Sequence, residues 1–403
     1  MPSPAGQGAT NGGGAAARAI VIVGGGFGGL YTALALAARR DHPPLLLIEP
    51  GERFVFAPLL YEVLSGEMRR WEIAPRYDSL LAGQGVAWLQ DRVEGIDTVE
   101  RRVRTRGGRS LPYARLVIAT GGRRNTFGVP GADAHALDFR SLADVDRIRE
   151  LIGDLKRQNR PLQRLAVVGA GPTGVELACK LADLTAGSAV IELIEQGPVA
   201  LPRSPAFNRE QAQLALRRRD VRLRTHTQVT AVEPDRLLLR PSEAPQGSDI
   251  VEPVPVKGVI WTTGLRFQPP AITPPAEQDP RGRLLCEPDL RLRGHQAEFV
   301  AGDLAATAGA PAPTTAQVAF QQAPVLAANL LRSLAGEPLE PCHPRDRGEM
   351  LSLGVGEACL TALGLTLAGP AAYQLRRMAY LTRLPGRSHP WRVAAGWLAD
   401  AGA

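Results

Sequence analysis

Ala19-Ile-Val-Ile-Val-Gly24-Gly25-Gly26-Phe27-Gly28-Gly29-Leu30, followed by Tyr31-Thr-Ala-Leu-Ala-Leu-Ala-Ala38, decides how the chain is read. An apolar β-branched run ends in glycines and continues as a helix-forming segment, so the stretch reads as strand, turn and helix. In such a turn Gly24 lets the chain reverse tightly, Gly26 lets backbone amides approach a pyrophosphate, and Gly29 lets the helix lie close to its strand. The phosphates would meet the positive N-terminal end of that helix. A second apolar strand, Pro44-Leu-Leu-Leu-Ile-Glu49, ends in a carboxylate about 20 residues beyond Gly29, where a ribose hydroxyl is received.

The pattern occurs twice. Leu165-Ala-Val-Val-Gly169-Ala170-Gly171-Pro172-Thr173-Gly174-Val175-Glu176-Leu177-Ala178 repeats it, and Ala189-Val-Ile-Glu-Leu-Ile-Glu195 supplies the second acid. Two dinucleotide sites are implied, which suits a protein that holds a flavin dinucleotide permanently and visits a nicotinamide dinucleotide transiently. The expected fold is α/β, with two Rossmann-like dinucleotide-binding domains. Two further strands end alike, at Ala119-Thr120-Gly121 and at Thr262-Thr263-Gly264, and each closes one domain beside its dinucleotide. Glu298-Phe-Val-Ala-Gly302-Asp303-Leu304 reads as a strand returning to the first domain, with Asp303 available to a ribityl chain; an Asp there serves equally well as a helix cap.

At 403 residues, 44% apolar and 22% charged, the chain suits two or three globular domains. Its net charge of +7 would fit nucleic acid or an anionic membrane surface. No nucleic-acid module is present and only 5% of residues are aromatic, so the membrane surface, or a merely solvated arginine-rich face, is expected. Cys179, Cys286, Cys342 and Cys359 stand far apart with no CxxC pair, which excludes a disulfide framework and the thiol-disulfide chemistry that needs two neighbouring sulfurs. No metal site is expected. Residues 1–17, rich in glycine and alanine, read as a disordered tail rather than a signal peptide. No segment has the roughly 20 strongly apolar residues that cross a bilayer.

Phe54-Val-Phe-Ala-Pro58-Leu59-Leu60-Tyr61-Glu62-Val63 reads either as a loop against a planar ring or as a plain core segment. Val86–Gln90, Arg92–Asp97 and Val103–Thr105 read as a β-meander closing the first domain. Residues 141–157 have helical apolar spacing with Ser141 as N-cap, and residues 206–219 form another helix. Strands are expected at 221–224 and 237–239, a loop at 241–255, and a linker at 268–280. Thr314–Leu331 is a helix carrying Gln317, Gln321 and Gln322 in its first turns; amides at a positive helix end can stabilise negative charge on a reduced ring, or can simply face solvent. Near the C-terminus, Leu375, Met378 and Leu381 mix with Tyr373, Tyr380, Trp391, Trp397 and five arginines (Arg376, Arg377, Arg383, Arg387, Arg392). This mixture suits an interfacial segment, or a helix packed on the body or on a second subunit.

Taken together, these motifs resemble the type II NAD(P)H:quinone oxidoreductases, single-chain flavoproteins with two dinucleotide-binding domains, over about residues 18–400. The resemblance implies FAD held by Gly24, Gly26, Phe27, Gly28, Gly29, Glu49, Ala119, Thr120, Gly121, Gly302, Asp303, Ala316 and Gln317. It implies NADH or NADPH received by Gly169, Gly171, Pro172, Thr173, Gly174, Glu195, Thr263 and Gly264. The AQxAxQQ element at Ala316–Gln322 would lie between flavin and quinone, which makes Gln317 and Gln321 candidate catalytic residues. Glu176, one turn into the second motif's helix, is the third, for nicotinamide docking or proton movement; a helix-end charge explains it equally well. Glu195 favours the 2'-hydroxyl of NADH, while nearby Arg203 leaves NADPH open. Tyr380-Leu-Thr-Arg-Leu-Pro385 and Gly396-Trp397-Leu398 are similar to the cyanobacterial and plastid branch, which implies demethylphylloquinone or another prenylated quinone, such as plastoquinone, as acceptor. Pro341-Cys342-His343 replaces the family's usual aromatics there. The implied layout is an FAD domain at 18–135 and 268–338, an NAD(P)H domain at 136–267, and a membrane-associating region at 339–403. Such a protein would dock peripherally on the cytoplasmic side of a thylakoid or plasma membrane, with a homodimer as one form open to it. Sulfide:quinone oxidoreductase, and a slow-turnover flavoprotein acting as a redox signalling module, share the architecture.

Overall fold

A computed structural model describes residues 19–158, 160, 162–244, 250–307, 309 and 312–401. The tail expected over residues 1–17 lies outside them. The chain falls into two compact units. The first comprises residues up to 54 together with 75–123 and 266–345; the second comprises 55–74, 124–265 and 346–403.

The first unit is built on an all-parallel five-stranded sheet in the order Glu298–Val300, Arg115–Ile118, Ile20–Val23, Leu45–Ile48, Val86–Leu89. A parallel sheet is covered on both faces, so its central strands are continuously apolar rather than alternating; all four side chains of Ile20–Val23 are buried. Each such aliphatic side chain contributes about 1.5–3 kcal/mol on burial. Helix Phe27–Ala37 follows the glycine turn, and helix Ala316–Ala335 packs along it. Thr315 caps the second of these by accepting the Val318 amide at 3.2 Å.

Val86–Leu89 departs from the expected meander. It pairs parallel with Leu45–Ile48 as the edge of the main sheet. The antiparallel part is Val93–Asp97, Arg102–Thr105 and Ser110–Pro112, joined by Ala271–Thr273 from the stretch read as a linker. Burial decides the difference, because a short apolar run has the same period in either setting.

The second unit repeats the plan. Its parallel sheet runs Arg222–Arg224, Val190–Ile194, Arg164–Val168, Gly258–Trp261, Ala136–Leu137. Helix Leu142–Gln158 begins where expected, with Ser141 Oγ accepting the Asp144 amide at 3.2 Å. Thr227–Val232, Arg236–Pro241 and Glu252–Pro255 form an antiparallel sheet, so the expected loop at 241–255 contains a strand. The segment after Phe54 is helical, with a 3-10 turn at Ala57–Leu59 and an α-helix at Leu60–Ser65. Phe56 and Leu60 are buried, so from Val55 onward the core reading of that stretch holds. The last segment forms a three-stranded antiparallel sheet, Glu349–Ser352, Ala358–Ala362 and Leu365–Gly369, followed by helices Pro370–Leu381 and His389–Ala401.

Candidate functional site

The two glycine turns have nearly the same geometry. Gly24 and Gly169 adopt φ of +101° and +99°, a region that favours glycine. A Cβ at Gly24 would come within 2.4 Å of the Ala119 carbonyl oxygen. At the third glycine of each motif a Cβ would meet the first glycine's carbonyl oxygen, at 1.9 Å for Gly29 and 1.8 Å for Gly174. The middle glycines differ from both. A Cβ on Gly26 or Gly171 would meet nothing within 4 Å. That open space at a helix N-terminus is what a pyrophosphate requires, and it is present in both units.

The two carboxylates match as well. Glu49 accepts the Gly25 amide at 2.7 Å and the Gly51 amide at 2.8 Å. Glu195 accepts the Ala170 amide at 2.7 Å and the Gly197 amide at 2.8 Å. Each acid is thereby fixed at the C-terminal end of its strand, facing the turn. Beside Glu195, the Arg224 guanidinium is taken up by Glu192 at 3.2 Å and Glu252 at 2.9 Å.

In the first unit, Gly28 lies against Ala301 and Gly302, whose amide would be 3.0 Å from a Cβ on Gly28. The Gly302–Leu304 turn carries half-buried Asp303 and is held by Gln322, whose Oε1 accepts the Gly302 amide at 2.7 Å. Ala119 is buried at its strand end, and Thr120 beyond it is exposed. Phe27 stacks on Tyr31 with centroids 5.8 Å apart, and both rings pack against Phe54 and Phe320. Ala316 and Gln317 are partly exposed at the helix start. Gln321 is engaged with the Arg345 peptide, donating to its carbonyl at 2.9 Å and accepting its amide at 3.0 Å.

In the second unit, Pro172 is the first residue of helix Pro172–Thr185, and Thr173 follows it. Thr262 donates to Val168 O at 2.8 Å, which fixes the strand end that leads to Thr263 and Gly264. Glu176 is buried. Its Oε1 accepts the Ser352 amide at 2.8 Å and lies 3.5 Å from Arg376 Nη2. Burial raises its carboxyl to about 7, against the opposing pull of Arg376 and the Ser352 amide, with Glu62 adding to the rise and the Tyr61 hydroxyl opposing it.

The sequence reading did not single out Glu62, and it counted Arg376 among the arginines of an interfacial segment; the structure instead buries Arg376, because its guanidinium is paired inside the fold. Both are fully buried, and they form an ion pair with each other. A single carboxylate inside the apolar run 59–64 was the available signal, since an unpaired charge is not tolerated in a core. All four cysteine thiols are pushed up by burial, to about 11 for Cys286 and Cys342 and about 12 for Cys179 and Cys359. They are held as thiols, which opposes a cysteine-based mechanism.

The pyridine nucleotide-disulphide oxidoreductase family model matches residues 18–323. The chain is 39% identical to demethylphylloquinone reductase NdbB of Synechocystis, over 92% of this chain and 93% of that protein. It is 35% identical to the alternative NAD(P)H-ubiquinone oxidoreductase C1, chloroplastic/mitochondrial, of Arabidopsis thaliana, over 93% of this chain and 79% of that one. Among solved structures, NDH2 of Plasmodium falciparum in complex with NADH superposes with a TM-score of 0.82 at 18% identity, covering 95% of this chain and 98% of that one.

Proposed function

The chain belongs to the pyridine nucleotide-disulphide oxidoreductase family and, within it, to the type II NAD(P)H:quinone oxidoreductases, and on that premise we propose that it carries two electrons from NAD(P)H to a prenylated quinone. The observation that carries the proposal is the duplicated cradle, with Gly26 and Gly171 facing open space beside carboxylates fixed in the same way. Bound there, FAD would supply a hydride acceptor for the nicotinamide and a two-electron donor for the quinone.

This chain's part is to hold and to protonate. The first turn, from Gly24 and Gly26 to Gly28 and Gly29, receives the flavin pyrophosphate, Glu49 its ribose, and Asp303 its ribityl chain, with Ala119, Thr120, Gly121, Gly302, Ala316 and Gln317 lining the path. Phe27 acts by packing. The second turn, with Gly169, Gly171, Pro172, Thr173 and Gly174, receives NAD(P)H; Thr263 and Gly264 flank it, and Glu195 meets the adenosine ribose. Glu176, near its titration point at neutral pH, is suited to hold and release a proton. Gln321 positions the Arg345 segment rather than reaching for a ligand.

The membrane face is the C-terminal pair of helices. Leu375 and Met378 are both 54% exposed, Trp391 is 77% exposed and Leu398 76%. Spacings of three and seven residues set each pair on one helix face. Inserting them would gain about 1.5–3 kcal/mol per side chain, with about 1 kcal/mol more for each arginine near an anionic surface. No helix among the described residues is long and apolar enough to cross a membrane. On this reading the exposed apolar side chains dock the protein peripherally, on the cytoplasmic side, where quinone arrives from the bilayer.

Stopped-flow reduction by NADH and by NADPH, followed by mixing with a naphthoquinone and a benzoquinone, tests the proposal. Bleaching by nucleotide within a turnover time and recovery on quinone are expected; reduction by sulfide alone would replace this reading. Co-sedimentation with anionic vesicles tests docking, with a soluble dimer that buries the same face as the contrary result.

A further inference from the structure

Arg376 is the largest fully buried side chain of the described residues, and it is shared by two carboxylates. Its Nη1 donates to Glu62 Oε1, its Nη2 donates to the Pro58 carbonyl at 2.6 Å, and the same Nη2 lies 3.5 Å from Glu176. The Tyr380 ring lies 4.9 Å from the guanidinium carbon. Two buried carboxylates and one guanidinium carry a net charge of −1. Adding one proton makes the group neutral, and burial favours that state.

We propose that Glu62 is a positioning residue that decides where this proton resides: by engaging Arg376 it leaves Glu176 as the protonatable member of a three-group unit. The inference rests on the proton role given to Glu176 above. Two geometric facts place the proton. Coulomb attraction falls with distance, and Glu62 is in direct hydrogen-bond contact with Arg376 whereas Glu176 is not. Second, the Tyr61 hydroxyl is hydrogen-bonded to both Glu176 and Thr173; it donates to the Glu176 carboxylate, and once that carboxyl is protonated it can accept from it by turning its own proton to Thr173. Thr173 belongs to the second glycine turn, so the three residues form a short hydrogen-bonded path from the buried unit to the nucleotide cradle.

The other charged groups facing Glu176 do not supply the missing cation. Lys180, one turn along the same helix, is ion-paired with Glu67 and lies 5.9 Å from the Tyr373 ring centroid. Cys179 and Cys359 are neutral thiols, and burial keeps the Tyr380 phenol protonated. Among the described residues, Arg376 is therefore the cation for which Glu62 and Glu176 compete directly.

Infrared difference titration of the holoenzyme reads the proton directly, through the stretch of a protonated carboxyl group. In the unmodified protein a band should titrate near neutral pH and vanish in Glu176→Gln. In Glu62→Gln, Arg376 turns wholly to Glu176 and the midpoint should fall by about one pH unit or more. Glu62→Asp, which keeps the charge, should restore most of the shift and guards against a merely misfolded Gln variant. A midpoint unmoved in Glu62→Gln overturns the inference, as does a band lost in Glu62→Gln but kept in Glu176→Gln. The Glu176 reading itself is judged separately, by quinone turnover: if Glu176→Gln turns over unchanged, Glu176 has no proton role even where the band shifts as expected.

Discussion

The first and second glycine turns share a backbone and diverge in the side chains just beyond it. After Gly26 come Phe27 and Tyr31, which pack with Phe54 and Phe320 into an aromatic cluster. After Gly171 come Pro172, Thr173 and Glu176, which lead into a buried polar unit with Tyr61, Arg376 and Glu62. Apolar packing behind a cradle makes it rigid, and it fits a cofactor that stays. Polar, titratable packing behind a cradle allows protons to move, and it fits a ligand that comes and goes. On the proposed function, one backbone turn would serve two uses through the side chains within the motif and in the helix just after it.

The largest expected effect separates the two cradles outright. A Cβ at Gly26 or Gly171 would meet no protein atom within 4 Å, and both residues have φ near −70°, so Gly26→Val and Gly171→Val should fold. Gly26→Val should purify colourless, whereas Gly171→Val should stay yellow and lose at least ~100-fold in its rate of reduction by NAD(P)H, the effect of a clash of about 3 kcal/mol. Absorbance and stopped-flow mixing check both. A yellow Gly26→Val would break the assignment of the first turn to the flavin.

Removing the fixed acids should sharpen the same contrast at smaller scale. Glu49→Ala leaves the Gly25 and Gly51 amides without their acceptor, and Glu195→Ala does the same to Ala170 and Gly197. At about 1–3 kcal/mol for lost partners, Glu49→Ala should weaken flavin retention roughly 10-fold or more on dialysis. Glu195→Ala should leave retention unchanged, raise the KM for NADH by a similar factor and narrow its margin over NADPH.

Glu176→Gln tests the polar side of the comparison. Turnover should fall roughly 10-fold or more, and the inflection near pH 7 should disappear. Stability follows with a definite sign. The folded carboxyl binds its proton up to about 7, against an ordinary value of 4.5, so the folded state holds more protons between those limits. The resulting stabilisation is complete below the ordinary value and is lost as pH rises through about 7. Melting curves at acid and alkaline pH should show the unmodified protein losing of order 1–3 kcal/mol relative to Glu176→Gln. Equal slopes would remove Glu176 from the titrating unit.

The smallest effect concerns the aromatic side. Gln322→Ala leaves the Gly302 amide unpaired, at about 1–3 kcal/mol. Flavin should remain bound with a Tm lower by a few degrees in calorimetry; loss of flavin would show that the Gly302 turn is held chiefly by Gln322.

Spacing and residue type made both cradles legible. Glycines at a turn and an acid at the next strand end are local features, and local sterics of the backbone fix them without reference to the rest of the chain. The helix start at Ser141 was legible for the same reason. The strand Val86–Leu89 was legible as a strand and not as a member of the parallel sheet, because register and neighbours are set by burial on both faces. Gln321 and Gln322 look alike in sequence, yet one binds the Arg345 peptide and the other the Gly302 amide. Glu62 and Arg376 lie more than 300 residues apart and read as one odd carboxylate and one of several arginines. The sequence by itself determined that FAD and NAD(P)H are the cofactors, and it marked two glycine turns as the candidate cradles. Only the tertiary structure decided that the Glu176 carboxyl is raised toward neutrality, because proton affinity depends on burial and on charges a few ångströms away that chain order does not reveal.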